Sequence, residues 1–220
     1  MAEIEKAQII RAVARSVSAQ AKIKAAATER FKVIFNDSVK GMQKEFEEDK
    51  VTQELDGGVD ASNISDTLGG GDAPDNLFSY IGFEAGSKPT QPIREALDPK
   101  SRSGPKLGPT IKLSSSETNI TYGCQVTGPK INDIYDQTPI PWGPGMSWAE
   151  KIETGIPGLA RFLARYTNTP PSHSGGGLQV RGDLPSRGGA QFSPPEKGYL
   201  SRIFSNFVEN IHRFTKQRNR

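Results

Sequence analysis

Two histidines, His173 and His212, are the only imidazoles in the chain, and Cys124 is its one thiol. A zinc site or a nucleophilic triad needs several such groups converging on one point from separate elements. His173 directly precedes Ser174, and sequence neighbours do not converge in that way. His212 falls in a helical stretch with no second ligand at metal spacing. The chain has no Gly-x-Ser-x-Gly elbow and no His-Glu-x-x-His pair. Gly69-Gly70-Gly71 lacks the Lys-Ser/Thr and the preceding apolar strand that a phosphate loop requires. Glu150 and Glu153 stand three apart, on one side of a helix, with Lys151 between them. Such a charged face is expected to be solvated surface, not an acid–base pair. The expectation is a non-enzymatic protein with no cofactor and no metal.

Charge is the next chemistry to consider. Net charge is only +3, from 28 basic and 25 acidic residues, too balanced to imply nucleic-acid binding by itself. The distribution is less even. From His173 onward the acids are Asp183, Glu196 and Glu209, and the last eight residues hold four bases and no acid. Arg181, Arg187 and Lys197 lie among glycine and proline, and Arg213 and Lys216 in the basic tail. These five are the candidate subunit-interface or DNA-facing residues. The basic tail has a plainer reading as well, since bases near a helix C-terminus complement its dipole.

These residues must be positioned by what precedes them. Gly and Pro together supply 39 of the 220 residues, which leaves long stretches outside any core. Residues 2–48 predict a helix: alanine is abundant, proline is absent, and Ile4, Ala7, Ile10, Ala14, Val17 and Ala21 recur at three- and four-residue steps. Its first half is thin in large side chains and is expected to pack on another chain or to fray. Phe31, Ile34, Phe35, Met42 and Phe46 form a bulkier stretch, with Gly41 as its weak point. Residues 1–54 are thus expected to form a helical arm and 55–76 a flexible acidic linker. Residues 77–220 are expected to form the core domain, with a mobile basic loop at 172–197.

Within that domain, Leu77–Phe83 is a compact apolar run, and Pro89 and Pro92 lead into a short helix over Ile93–Leu97. Ile120, Tyr122, Cys124 and Val126 alternate strictly, which predicts a strand with one buried face and, with Ile111 and Leu113, a hairpin. On that face Cys124 is expected as a small core residue. Ser147 followed by Glu150 forms a capping box for a helix from Trp148. Its stripe (Trp148, Ile152, Ile156, Leu159, Phe162, Leu163, Tyr166) continues past Gly155 and Pro157, which predicts a kinked helix. Leu178–Arg181 is a brief strand candidate. Leu200, Ile203, Phe204, Phe207, Ile211 and Phe214 share one face of the last helix. The expected core residues are Ile120, Tyr122, Val126, Trp148, Ile152 and Phe162. The fold class is α+β: a small antiparallel sheet packed by helices, a long N-terminal helical arm, extended loops and a C-terminal amphipathic helix.

The run Trp148-Ala149-Glu150-Lys151-Ile152-Glu153-Thr154-Gly155 resembles a pattern of tail-completion, or neck, proteins of long-tailed bacteriophages. There a strand pair is followed by an aromatic-Ala-x-x-aliphatic-Glu-x-Gly turn and a closing C-terminal segment, the order found here over roughly 100–215. The wider 139–165 segment is similar to virion structural proteins of marine tailed phages. The resemblance implies a head–tail connector, tail-completion or tail-terminator subunit in a homo-oligomeric ring, bound to other neck and tail proteins. It also implies localisation in the virion after assembly in the host cytoplasm. A basic loop facing a ring lumen would meet packaged DNA without sequence preference. Two other readings stay open: a baseplate or tail-assembly protein of the same virion, and a basic nucleic-acid-binding module. The charged N-terminus carries no apolar core of signal-peptide type, and no run approaches a membrane span, so no membrane partner is expected.

Overall fold

The computed structural model describes residues 8–9, 12, 16–69, 76–116, 119–141, 143–154, 163–165, 177–179, 191–192, 195 and 198–216. Helix α1, Val17–Glu48, starts where the Ser16 hydroxyl accepts the Ala19 N–H at 3.2 Å. It ends at Asp49, whose extended backbone breaks the helix and whose carboxylate accepts from Val51 N at 2.8 Å to start α2, Lys50–Gly57. At 1.5 Å per residue α1 is roughly 48 Å long. None of residues 17–34 is buried. Burial begins at Phe35 and continues through Val39, Met42 and Phe46, the helical period. Gly41 does not interrupt the helix; it faces open space.

Residues 55–69 are not an open linker. Leu55 is buried, and α2 runs into a 3₁₀ turn at Gly58–Asp60. The wholly buried Glu54 carboxylate accepts from Ser65 N at 2.9 Å and Leu77 N at 2.6 Å. Those two bonds hold Ser65 and the start of the next helix at Leu77 to α2, which the segment's composition does not reveal. Strand β1, Leu68–Gly69, pairs with β10, Gln191–Phe192. Residues 70–75 lie outside the described residues. Helix α3, Leu77–Ile81, is capped by Asn76 and closed by Gly82 in the left-handed region at φ 86°. Helix α4, Gln91–Leu97, carries proline in its first turn.

Among the described residues the strands form five two-stranded antiparallel pairs. Strand β2, Lys106–Leu107, pairs with β5, Val126–Thr127, and β3, Ile111–Ser115, pairs with β4, Ile120–Gly123. The predicted seven-residue strand is therefore split between two pairs. The β3–β4 register shifts between Lys112 and Ser114, so the alternation does not hold one face inward, and Ile111 and Leu113 are 56% and 66% exposed. Ile120 and Tyr122 are half-buried in consequence, and Val126 packs only at the core's edge.

Helix α5, Ile131–Tyr135, leads to the pair β6, Pro139–Ile140, and β7, Gly143–Ser147. Helix α6 follows at Trp148–Thr154. The predicted continuation of its stripe does not hold at 163–165, which is strand β8, Leu163–Arg165, paired with β9, Gly177–Gln179. Phe162 lies outside the described residues. Helix α7, Leu200–Lys216, closes the chain with a strong apolar stripe. The core joins α1's last turns, α2, α3, α4, α6 and α7 around Phe46, Leu55, Phe78, Ile93, Trp148 and Ile203. The chain is α+β, with its helices supplying most of that core and Leu68 of β1 and Ile140 of β6 joining it.

Candidate interaction surface

The described part of the motif, 148–154, acts as a brace. Glu150 N donates to Ser147 Oγ at 3.1 Å, the expected cap, and Ser147 Oγ lies 2.8 Å from Thr138 Oγ1. That start fixes the rotation of α6. Trp148 turns into the core and meets Phe83 edge-on at 5.9 Å and 88°. Ile152 is fully buried one turn later.

Glu153 then reaches the start of α7. Its Oε1 accepts from Tyr199 N at 3.1 Å and Ser201 N at 2.9 Å, and its Oε2 from the Ser201 hydroxyl at 2.7 Å. A carboxylate on free N–H groups at a helix N-terminus is favoured by charge and by the dipole. The expected solvated face is corrected here: Glu153 is a cap from a distant element. Its partners lie 46 and 48 residues downstream, so no local signal marks it.

Along α7 the side chains that meet α1 and α2 are polar at the rim and apolar beneath. Arg202 Nη1 donates to Glu45 Oε1 at 2.5 Å, its Nη2 pairs with Asp49, and Asn206 Nδ2 donates to Glu45 Oε1 at 2.8 Å. Burial pushes the Asp49 carboxyl above its ordinary range, opposed by the Val51 N–H and by Arg202. Tyr199 is wholly buried, its hydroxyl 2.7 Å from Thr52 Oγ1, and burial holds that hydroxyl well above the ordinary tyrosine value. A second ion cluster stands on the other side of α1. Arg94 forms a two-pronged contact with Glu47 at 2.7 Å on each prong, also pairs with Asp56, and lies 5.6 Å from the Phe46 ring centre. Hydrogen bonds donated to Glu47 and Asp56 hold the Arg94 guanidinium even more firmly protonated than usual. Sequence reading found neither arginine cluster, because each is assembled from helices far apart in the chain.

Between α1, α7 and the β4–β5 segment the packing stays open. A groove of about 320 Å³ is lined chiefly by Phe31, Ile34, Tyr122, Val126, Phe207 and Ile211. Cys124 faces this groove half-buried, not the core, and burial raises its thiol pKa above the ordinary value. That disfavours the reactive thiolate. His212 is at the groove's edge. The N-terminal half of α1 runs beyond, touching the strands through Thr28 Oγ1 to Thr110 Oγ1 at 3.0 Å and Tyr122 OH to the Gln20 carbonyl at 3.4 Å.

Of the residues expected to face a partner, Arg213 is exposed on α7, and the backbone of Lys216 ends that helix. Arg181, Arg187 and Lys197 lie outside the described residues, as does His173. Trp148 and Ile152 belong to the core as expected. Among the described residues, no group of three His, Cys, Asp or Glu side chains could hold a metal ion. Among them, too, no helix is long and apolar enough to cross a membrane. No protein-family model, no curated protein and no solved structure matches the chain.

Proposed function

We propose that the chain is a non-enzymatic structural subunit of a tailed-phage virion, acting at the neck or tail end as a connector, tail-completion or tail-terminator ring subunit. The observation that carries this reading is α1. Eighteen consecutive residues, 17–34, include no buried side chain, yet the same helix enters a well-packed core at Phe35. A helix with an unburied leading half is marginal alone and gains stability from a neighbour's surface. The Trp148–Thr154 brace supports the same reading, since it uses the motif's aromatic, aliphatic and acidic positions to fix the closing helix.

Quantitative immunoblotting of purified, denatured particles tests this. The expected result is a low, fixed copy number per particle, set by one ring. Absence from denatured particles would refute a virion role. A baseplate position is the alternative within the same particle. The exposed Arg213 favours one further alternative, a nucleic-acid-binding module. That reading requires DNA binding by the isolated chain that falls steeply with salt.

A further inference from the structure

We infer that the strand-bearing end of the molecule binds the phosphate backbone of duplex DNA without sequence preference. The surface is formed by the first turns of α1 and by residues 99–130, not by the C-terminal third that the sequence singles out. This contact goes beyond the ring-subunit reading and does not depend on it. Residues 99–130 carry Lys100, Arg102, Lys106, Lys112 and Lys130 against one acid, Glu117, whereas the whole chain holds 28 bases and 25 acids. All five of those bases are exposed. So dense an excess of one sign on an otherwise balanced chain attracts a polyanion.

The fold gathers these charges. Lys106 Nζ donates to the carbonyls of Pro99 and Ser101 at 2.6 Å each, which folds the 99–105 loop back onto β2. Thr28 Oγ1 of α1 lies 3.0 Å from Thr110 Oγ1. Lys24 stands about one helical turn before Thr28, and Lys112 two residues after Thr110, so two exposed lysines flank one contact. Residues 16–28 of α1 and its cap hold no acid. Among the described residues, Lys24, Lys100, Arg102, Lys112 and Lys130 form no ion pair, whereas Arg94 and Arg202 each hold two carboxylates. Cations without a carboxylate are available to phosphate.

Three observations select a duplex backbone among polyanions. The exposed side chains between the cations include Ser103, Ser114, Thr121 and Thr127, and hydroxyls set among Lys and Arg are the groups that meet phosphate oxygens. Tyr122 is the only aromatic residue in 99–130, and it is half-buried with its hydroxyl on the Gln20 carbonyl at 3.4 Å. Single-strand binding draws on aromatic side chains that stack on bases, which this surface does not offer. The exposed apolar pair, Ile111 and Leu113, is on the other face of the hairpin from Lys112 and Tyr122, since Ile111 lies opposite Gly123 and Leu113 would touch a Cβ there. A bilayer surface takes basic and apolar side chains from the same side.

Fluorescence anisotropy of a labelled mixed-sequence duplex, titrated with full-length chain at several salt concentrations, tests this. Wild-type chain should bind in low salt and weaken steeply as salt rises. Full-length chain carrying Lys24→Gln, Arg102→Gln and Lys112→Gln should bind about tenfold or more weakly in low salt, with a log–log salt slope shallower by about 0.9 per lost contact. Its urea midpoint should equal that of wild type, because the three side chains are exposed and form no ion pair among the described residues. The charge-keeping variant Lys24→Arg, Lys112→Arg should bind as wild type does. No binding of the duplex by wild-type chain in low salt overturns the inference. So does full affinity in the triple Gln variant with affinity lost in Arg213→Gln, which would move the contact to α7. Tighter binding to the single strand than to the duplex, or binding to phosphatidylglycerol vesicles but not to DNA, overturns it as well. None of these results alters the copy number in particles, which tests the ring reading separately.

Discussion

Glu153 and Ser201, 48 residues apart, are joined twice: the backbone N–H of Ser201 reaches Oε1 at 2.9 Å and its hydroxyl reaches Oε2 at 2.7 Å. This one carboxylate sets where α7 begins, and α7 in turn covers α1. Replacing Glu153 with Ala removes a charged cap, and the expected loss is about 1–2 kcal/mol. Gly198, at φ +71°, is the hinge that permits the contact, and a Cβ there would stand 2.5 Å from Ser201 Oγ and 2.9 Å from Glu153 Oε2. Gly198→Ala should therefore lose about 1–2 kcal/mol through the left-handed backbone alone, with the steric conflict added. Urea unfolding of both variants measures this. A Glu153→Ala midpoint equal to wild type would dismiss the brace.

Arg94 offers a test of the second cluster. Its fork meets Glu47 on both prongs and also pairs with Asp56, a geometry that a lysine ammonium cannot reproduce. Arg94→Lys should cost about 1 kcal/mol, and Arg94→Met about 2 kcal/mol or more, because it leaves two carboxylates without their cation. The difference between wild type and Arg94→Met should narrow in high salt, which screens the partly exposed pairs. Equal urea midpoints for the three proteins would show that the cluster contributes nothing.

The arginine clusters also show what the sequence did and did not make legible. The stripe Leu200, Ile203, Phe207 on α7 and the end of α1 at Glu48 could be read because each depends on local periodicity and capping. Ser147 was readable as a cap for the same reason. Residues 55–69 were misjudged because Gly, Asp, Ser and Asn resemble a linker, whereas the determinant is one buried carboxylate, Glu54, placed by α2. The hairpin's face was misjudged because a register shift between Lys112 and Ser114 leaves no trace in hydropathy. The groove was invisible, since Phe31, Tyr122 and Ile211 meet only after three distant segments pack.

Three tyrosines give a pH signature. Burial raises the hydroxyls of Tyr80 and Tyr135 to about 12, and that of Tyr199 well above the ordinary value of 10.0. A pKa raised in the folded state means that the folded chain holds its protons more tightly than the unfolded chain. The associated stability is therefore full below pH 10 and is lost as pH rises through the folded values. Denaturant midpoints should be flat on this account up to about pH 10 and then fall, with tyrosinate absorbance appearing in step. Tyr199→Phe should flatten part of that fall. At neutral pH it should cost about 1–2 kcal/mol, because Thr52 loses its buried partner, and adding Thr52→Val should recover part of the loss. Tyrosinate absorbance reaching its full amplitude near pH 10 in the folded chain would contradict this.

The position of the chain within the particle is the most direct test of a virion neck or tail-end role. Particles purified from the lysate in which the chain is made would be labelled with gold-conjugated antibody against residues 172–197 and imaged, with denatured particles probed in parallel. The proposed role requires label at the head–tail junction or tail end together with a signal from denatured particles. A signal confined to the baseplate would contradict the connector role, and absence from both preparations would contradict any place in the virion.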